Sequence, residues 1–272
     1  MKAKFVRIVI ALLLVTIATL VISAQDSEYT AVTGVATDEG IEFPSEIPAG
    51  FVNLVFENNR SEREFAAGIA RINDDVTMEQ FMAAASAENP MEAVAMVSLY
   101  GGMGVAPGES ASYTVNLTPG NYLLLEFGEE EAGPSDFSMF TVTENDMEPM
   151  AEPEADVNLA LVDFGFGVPG FISAGELVWH VENVADQWHE VVVIPLPEGI
   201  ESVADARAAM ESPDQPDIQP VLFWAPMSPG NEAWITLDLA PGNYLLLCFL
   251  PDLNGDFSPH MAHGMIQVFT VE

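Results

Sequence analysis

Two strings fix the organisation of this chain, because each occurs twice. The segment LTPGNYLLLEF at 117–127 returns as LAPGNYLLLCF at 239–249, and AGFVNLVFENN at 49–59 is answered by AGELVWHVENV at 174–184. The interval between the strings is nearly constant, from Asn58 to Asn121 in the first copy and from Asn183 to Asn243 in the second. A repeat of this length is a duplicated domain and not a solenoid, whose units span roughly 20–50 residues.

The stretches between are strand-like. Short apolar runs such as FVNLVFEN, ELVWHVEN, EVVVIPL, AWITLDL and MIQVFTVE are punctuated by Pro-Gly and Asn-Gly turns. Leu177, Trp179 and Val181 alternate with Glu176, Val178, His180 and Glu182, as on a strand with one face on a core. Each copy is interrupted once by a helical pattern, VTMEQFMAAASAENPMEAVAMVSLY in the first and IESVADARAAMES in the second. The expected architecture is all-β: two tandem antiparallel sandwiches over 25–144 and 157–272, each with a short helical insertion. Residues 145–156, acidic and proline-bearing, read as the linker. Met147 and Met150 within it are read as incidental, and Met78 and Met82 on the first helix as core filler.

Lys2, Lys4 and Arg7 precede an apolar run from Ile8 to Ile22 that ends in Ser23-Ala24, the layout of a secretory signal peptide over 1–24. Its length also approaches that of a membrane anchor. Cleavage after Ala24 leads to a periplasmic or extracellular protein whose mature part has no membrane insertion. That part keeps four basic residues, Arg60, Arg63, Arg71 and Arg207, against 42 acidic ones. Such a surface repels nucleic acid and suits cations or a basic protein partner. One cysteine, Cys248, leaves the fold without an internal disulfide.

The second copy carries His189, Cys248, His260 and Met265. A thiolate with two imidazoles and a weak axial thioether is the donor set of a type 1 (blue) copper site. Taken singly, each has a plainer reading: Cys248 as a buried apolar thiol, His189 as a strand-end hydrogen bonder, Met265 as core. His263 is the alternative second imidazole, and His180 reads as structural. DLNGD at 252–256 hints at calcium only weakly, since Phe257 stands where the turn glycine of such a loop belongs.

These segments resemble the cupredoxin family. VENVADQWHEVVV is similar to that family's first-ligand segment, YLLLCF to its cysteine-bearing strand, and HMAHGMIQVFTV to its closing segment. The resemblance spans nearly all of 157–272 and, more faintly, 30–144. It implies Greek-key sandwiches and one copper ion in the second, held by His189, Cys248, His260 and Met265. Eleven residues separate Cys248 from His260, more than in compact members of the family. Pro251, Pro259 and Asn254-Gly255 are expected to shape that loop.

The first copy lacks these ligands. Counting from Asn58 puts Glu64 opposite His189, counting from Tyr122 puts Glu126 opposite Cys248, and at the closing strand Asp136 takes the Met265 position with no histidine before it. It is therefore expected to be metal-free. The resemblance implies one-electron transfer with an unknown redox protein. Copper storage or delivery, and a metal-free module acting through protein contacts, are the other readings. No His-x-His pair, G-x-S-x-G, HExxH or P-loop is present, so the expectation is a carrier or binding protein and not an enzyme.

Overall fold

The computed structural model describes residues 29–86, 91–127, 134–145, 150–211 and 219–272. The signal segment and Met147 lie outside them. In the first half the chain forms β1 (Thr30–Thr37), β2 (Gly40–Glu42), β3 (Glu46–Pro48), β4 (Gly50–Asn58), β5 (Phe65–Ile72), α1 (Met78–Ala85), α2 (Met91–Val94), β6 (Val97–Val105), β7 (Ser110–Leu117), β8 (Gly120–Phe127) and β9 (Pro134–Thr143). The second half repeats the strand order and adds a short helix before its last strand: β10 (Val157–Val162), β11 (Gly165–Gly167), β12 (Phe171–Ile172), β13 (Gly175–Asn183), β14 (His189–Pro195), α3 (Val203–Glu211), β15 (Leu222–Met227), β16 (Glu232–Leu239), β17 (Gly242–Leu247), α4 (His260–His263) and β18 (Ile266–Val271).

The eighteen strands of the described residues lie in two sheets. One runs β11-β10-β13-β16-β7-β4-β1-β2 and the other β12-β18-β17-β14-β15-β6-β5-β8-β9-β3. Each half puts β1, β2, β4 and β7, or their counterparts, in one sheet and the rest in the other, so the chain crosses between layers as a cupredoxin-like sandwich requires. The sandwiches are not purely antiparallel: β1 with β4, β3 with β9, β10 with β13 and β12 with β18 pair in parallel.

The halves meet edge to edge. β7 pairs with β16 (Tyr113 with Ile235, Thr114 with Trp234) and β6 with β15 (Met103 with Trp224, Tyr100 with Met227), antiparallel in both layers. Ser228 and Asn231 lace the seam through the Leu99 main chain: the Ser228 N–H and the Asn231 amide both donate to the Leu99 carbonyl, at 2.8 and 2.6 Å. Trp224 lies fully buried across it, edge-on to Tyr113 at 5.0 Å. Gly101, at φ 82°, leaves room for that indole, since a Cβ there would stand 2.3 Å from the ring. One apolar cluster accordingly runs from Val32 to Val271 through both sandwiches.

The helices cover the outer face of the ten-stranded sheet. A capping box starts α1, in which the Thr77 hydroxyl accepts from the Gln80 N–H and the Gln80 side chain accepts from the Thr77 N–H. Phe81 and Ala84 pack on Leu123 and Leu125. Ala206 of α3 packs on Val192, Leu245 and Leu247. Met82 is exposed and not core filler, whereas Met78 is partly buried against the α1 cluster. Strand β6 claims Val97 to Tyr100, which the helical pattern had included, because that segment pairs with β5 and β15. No described helix is long and apolar enough to cross a membrane.

Candidate metal centre

β13 delivers the first residue of the site through Asn183. Its buried side-chain amide donates to the carbonyls of Gln187 (2.9 Å) and Met227 (2.7 Å), while its carbonyl accepts from the Ala185 N–H. The turn 184–188 is thereby fixed, and His189 enters β14 fully buried. Cys248 follows directly on β17. The loop after it folds back, with Pro251 bridging to Pro259, the His260 N–H donating to the Leu250 carbonyl and the Met261 N–H to the Cys248 carbonyl. Both prolines sit where their fixed φ shapes the return.

These elements bring three donors together. His189 Nδ1 stands 3.0 Å from His260 Nδ1, and Cys248 Sγ stands 3.4 Å from the same His260 nitrogen. All three side chains are buried, and their donor atoms lie within 4.8 Å of one another. Donors held at roughly 2.0–2.3 Å from one ion stand about 3.3–3.7 Å apart, so the two spacings from His260 Nδ1 are within a few tenths of an ångström of what an ion needs. Met265 is fully buried in the same apolar cluster as Cys248; its carbonyl accepts from the Cys248 N–H and its N–H donates to the His260 carbonyl. His263, the alternative imidazole, is not part of this group. Its Nε2 lies 3.1 Å from Asp256 and 3.8 Å from Asp252, on the outside of the loop.

The electrostatics favour ligand chemistry. Burial holds both imidazoles below the ordinary histidine range, against the pull of Asp163 on His189 and of Asp252 and Asp163 on His260. Neutral imidazole is the form that binds metal. Burial, reinforced by the nearby Glu190 carboxylate, pushes the Cys248 thiol up to about 12. Without an ion the sulfur therefore keeps its proton, which a soft cation would displace.

Three residues of the surroundings belong to no motif in the sequence. Asp163, in the β10–β11 turn, lies 3.2 Å from His189 Nε2 and leaves Nδ1 facing the sulfur side. A carboxylate behind a ligand histidine fixes the ring and its tautomer. Phe164 in the same turn, at φ 62°, sets its ring edge-on to His260 at 5.3 Å. Glu190 is buried beside His189, accepts the Phe249 N–H at 2.8 Å, and is raised by burial to about 7. The one available signal was its place: a carboxylate at the head of the otherwise apolar run Val191–Ile194.

The first half shows what stands here without the ligands. Asn58 repeats the Asn183 pattern, donating to the Arg63 and Val105 carbonyls. Phe65 starts β5 as His189 starts β14, and it pairs with Val105 as His189 pairs with Met227. The counterpart of His189 is thus Phe65 and not Glu64, because the turn after Asn58 is one residue longer. Glu126 does occupy the Cys248 position. Arg60 holds it in a buried two-point pair at 2.6 and 3.1 Å, Arg63 adds a contact at 2.9 Å, and the Arg60 guanidinium lies over the Phe65 ring at 5.4 Å.

No protein-family model matches the chain, and no curated protein matches it in sequence. Solved structures that resemble it include a dithionite-reduced auracyanin from Roseiflexus castenholzii, 22% identical over 42% of this chain and 94% of its own, with a TM-score of 0.29. A copper nitrite reductase from Nitrosomonas europaea is 12% identical over 90% of this chain and 93% of its own, TM-score 0.25. A multicopper oxidase is 12% identical over 89% and 88%, TM-score 0.26. At such scores the ligand set rests on this chain's own side chains. The expectation of a non-enzyme is corrected by the same comparison: two of these similar structures, the nitrite reductase and the oxidase, are enzymes.

Proposed function

We propose that this is an exported copper protein whose second half holds one type 1 copper ion through His189, Cys248 and His260, with Met265 as the weak axial donor, and that it transfers single electrons. The observation that carries this reading is the burial of two imidazole nitrogens and one thiol sulfur within 4.8 Å of one another. Thiolate and imidazole together suit copper, which when bound supplies a one-electron couple.

The residues do the rest. Asp163 orients His189, so its ring need not reorganise when the charge of the site changes. Phe164 shields His260, which is nearly inaccessible to water. Glu190, by accepting the Phe249 N–H, fixes the direction of the chain as it leaves Cys248. The strongly negative net charge of the whole chain favours a partner with a basic face.

Titration of the folded full chain with Cu(II) tests the reading. An intense thiolate charge-transfer band in the visible is expected, and Cys248→Ser removes it while circular dichroism stays that of the parent. A folded wild-type protein that remains colourless overturns the proposal.

A further inference from the structure

We propose that His180, Glu232 and Glu152 form a second metal site, for a divalent cation of the zinc class, on the outer face of the eight-stranded sheet, where it pins the segment before β10 across β13 and β16. The three offer one nitrogen and two carboxylate oxygens, all within 4.8 Å of one another. The site shares no residue with the thiol-bearing centre, and stands or falls separately from it.

The imidazole is set in advance. Its ring stacks on Trp234, the cross-strand partner of His180, at 4.4 Å and 9° between planes. That stacking aims Nε2 at Glu232 Oε2, 2.9 Å away. A single ion binding both groups at roughly 2.0–2.2 Å needs them only a few tenths of an ångström further apart.

The charge balance points to a cation. Glu182 lies directly opposite Glu232 in the ladder and on the same face as His180. Like charges directly opposed across two strands are unfavourable, and Glu152 adds a third carboxylate. The arginines of the described residues are engaged elsewhere: Arg60 and Arg63 on Glu126, Arg71 on Asp74, Arg207 on the Met261 carbonyl. His180 is thus the one basic group this face supplies.

Glu152 also arrives on a fixed segment. The Tyr29 hydroxyl donates to the Ala151 carbonyl at 3.1 Å, and Asp156 exchanges two hydrogen bonds with the Val178 main chain, at 2.8 and 2.9 Å. Mixed imidazole and carboxylate donors select zinc-like ions over calcium.

The test is equilibrium dialysis of the full chain against Zn2+, with Cys248→Ser in every protein so that the thiol site cannot take the ion. One equivalent of zinc that depends on His180 is expected, bound at least tenfold tighter than Ca2+. Glu152→Gln and His180→Gln should each weaken it tenfold or more, and zinc should slow proteolysis near 150–156 in the parent alone. If Cys248→Ser does not fold, the wild type should bind one equivalent more than its His180→Gln variant. Zinc uptake unchanged by both His180→Gln and Glu152→Gln, or calcium preferred, overturns the proposal.

Discussion

The same corner of the sandwich is built twice and filled in two ways. At one corner, Asn183 fixes a turn and the strand behind it presents His189 to Cys248; at the other, Asn58 fixes a turn and the strand behind it presents Phe65, with Glu126 in the sulfur's place. The buried carboxylate is then met by Arg60 and Arg63. A buried polar group must have a partner. One corner finds it in guanidinium groups of its own turn, and the other leaves donors facing each other that an ion would satisfy.

The largest effect should come from breaking the ion pair. The side chains of Arg60 and Glu126 are only 2% and 5% exposed. Glu126→Ala strands a buried guanidinium and should cost about 3–5 kcal/mol, read from urea unfolding. Arg60→Met together with Glu126→Leu should recover most of that loss; a double variant as unstable as the single one would show that the pair does more than satisfy its own charges.

The next sharpens the role of a shared aspartate. Asp38 and Asp163 occupy the same place in the β1–β2 and β10–β11 turns, and each lies near a backbone N–H of the later turn, Ser61 and Asp186 respectively. Asp163 additionally meets His189. Asp163→Ala should therefore weaken copper binding by about 10–100-fold, while Asp38→Ala leaves it unchanged in competition titrations against a chelator.

The smallest effect is a slope. With the thiol raised to about 12 by burial and the imidazoles already neutral near pH 7, copper must displace one proton from Cys248. Copper affinity should rise about tenfold per pH unit between roughly pH 7 and 9. A flat profile would remove the thiol from the ligand set.

The cluster of His189, Cys248 and His260 was legible where a scarce residue stands beside a repeated string: the single cysteine after YLLL and one of four histidines six residues beyond Asn183. The alternation of Leu177, Trp179 and Val181 likewise gave the inward face of β13. Register was less legible. Counting from Asn58 chose Glu64 over Phe65, since a turn longer by one residue leaves no mark in composition. Asp163, Phe164 and Glu190 were hidden because their role depends on a neighbouring loop and not on their own strand's pattern. The join between the sandwiches was hidden for a similar reason, since it pairs residues more than a hundred positions apart.

That join has a consequence for how the molecule can be taken apart. Severing the chain between 145 and 150 would bare β6 and β7 on one fragment and β15 and β16 on the other, four strand borders whose amide ladders now satisfy each other. Bared borders recruit other chains. Isolated fragments should self-associate or recombine with their missing mate, since each copy covers the strand borders that the other would otherwise expose.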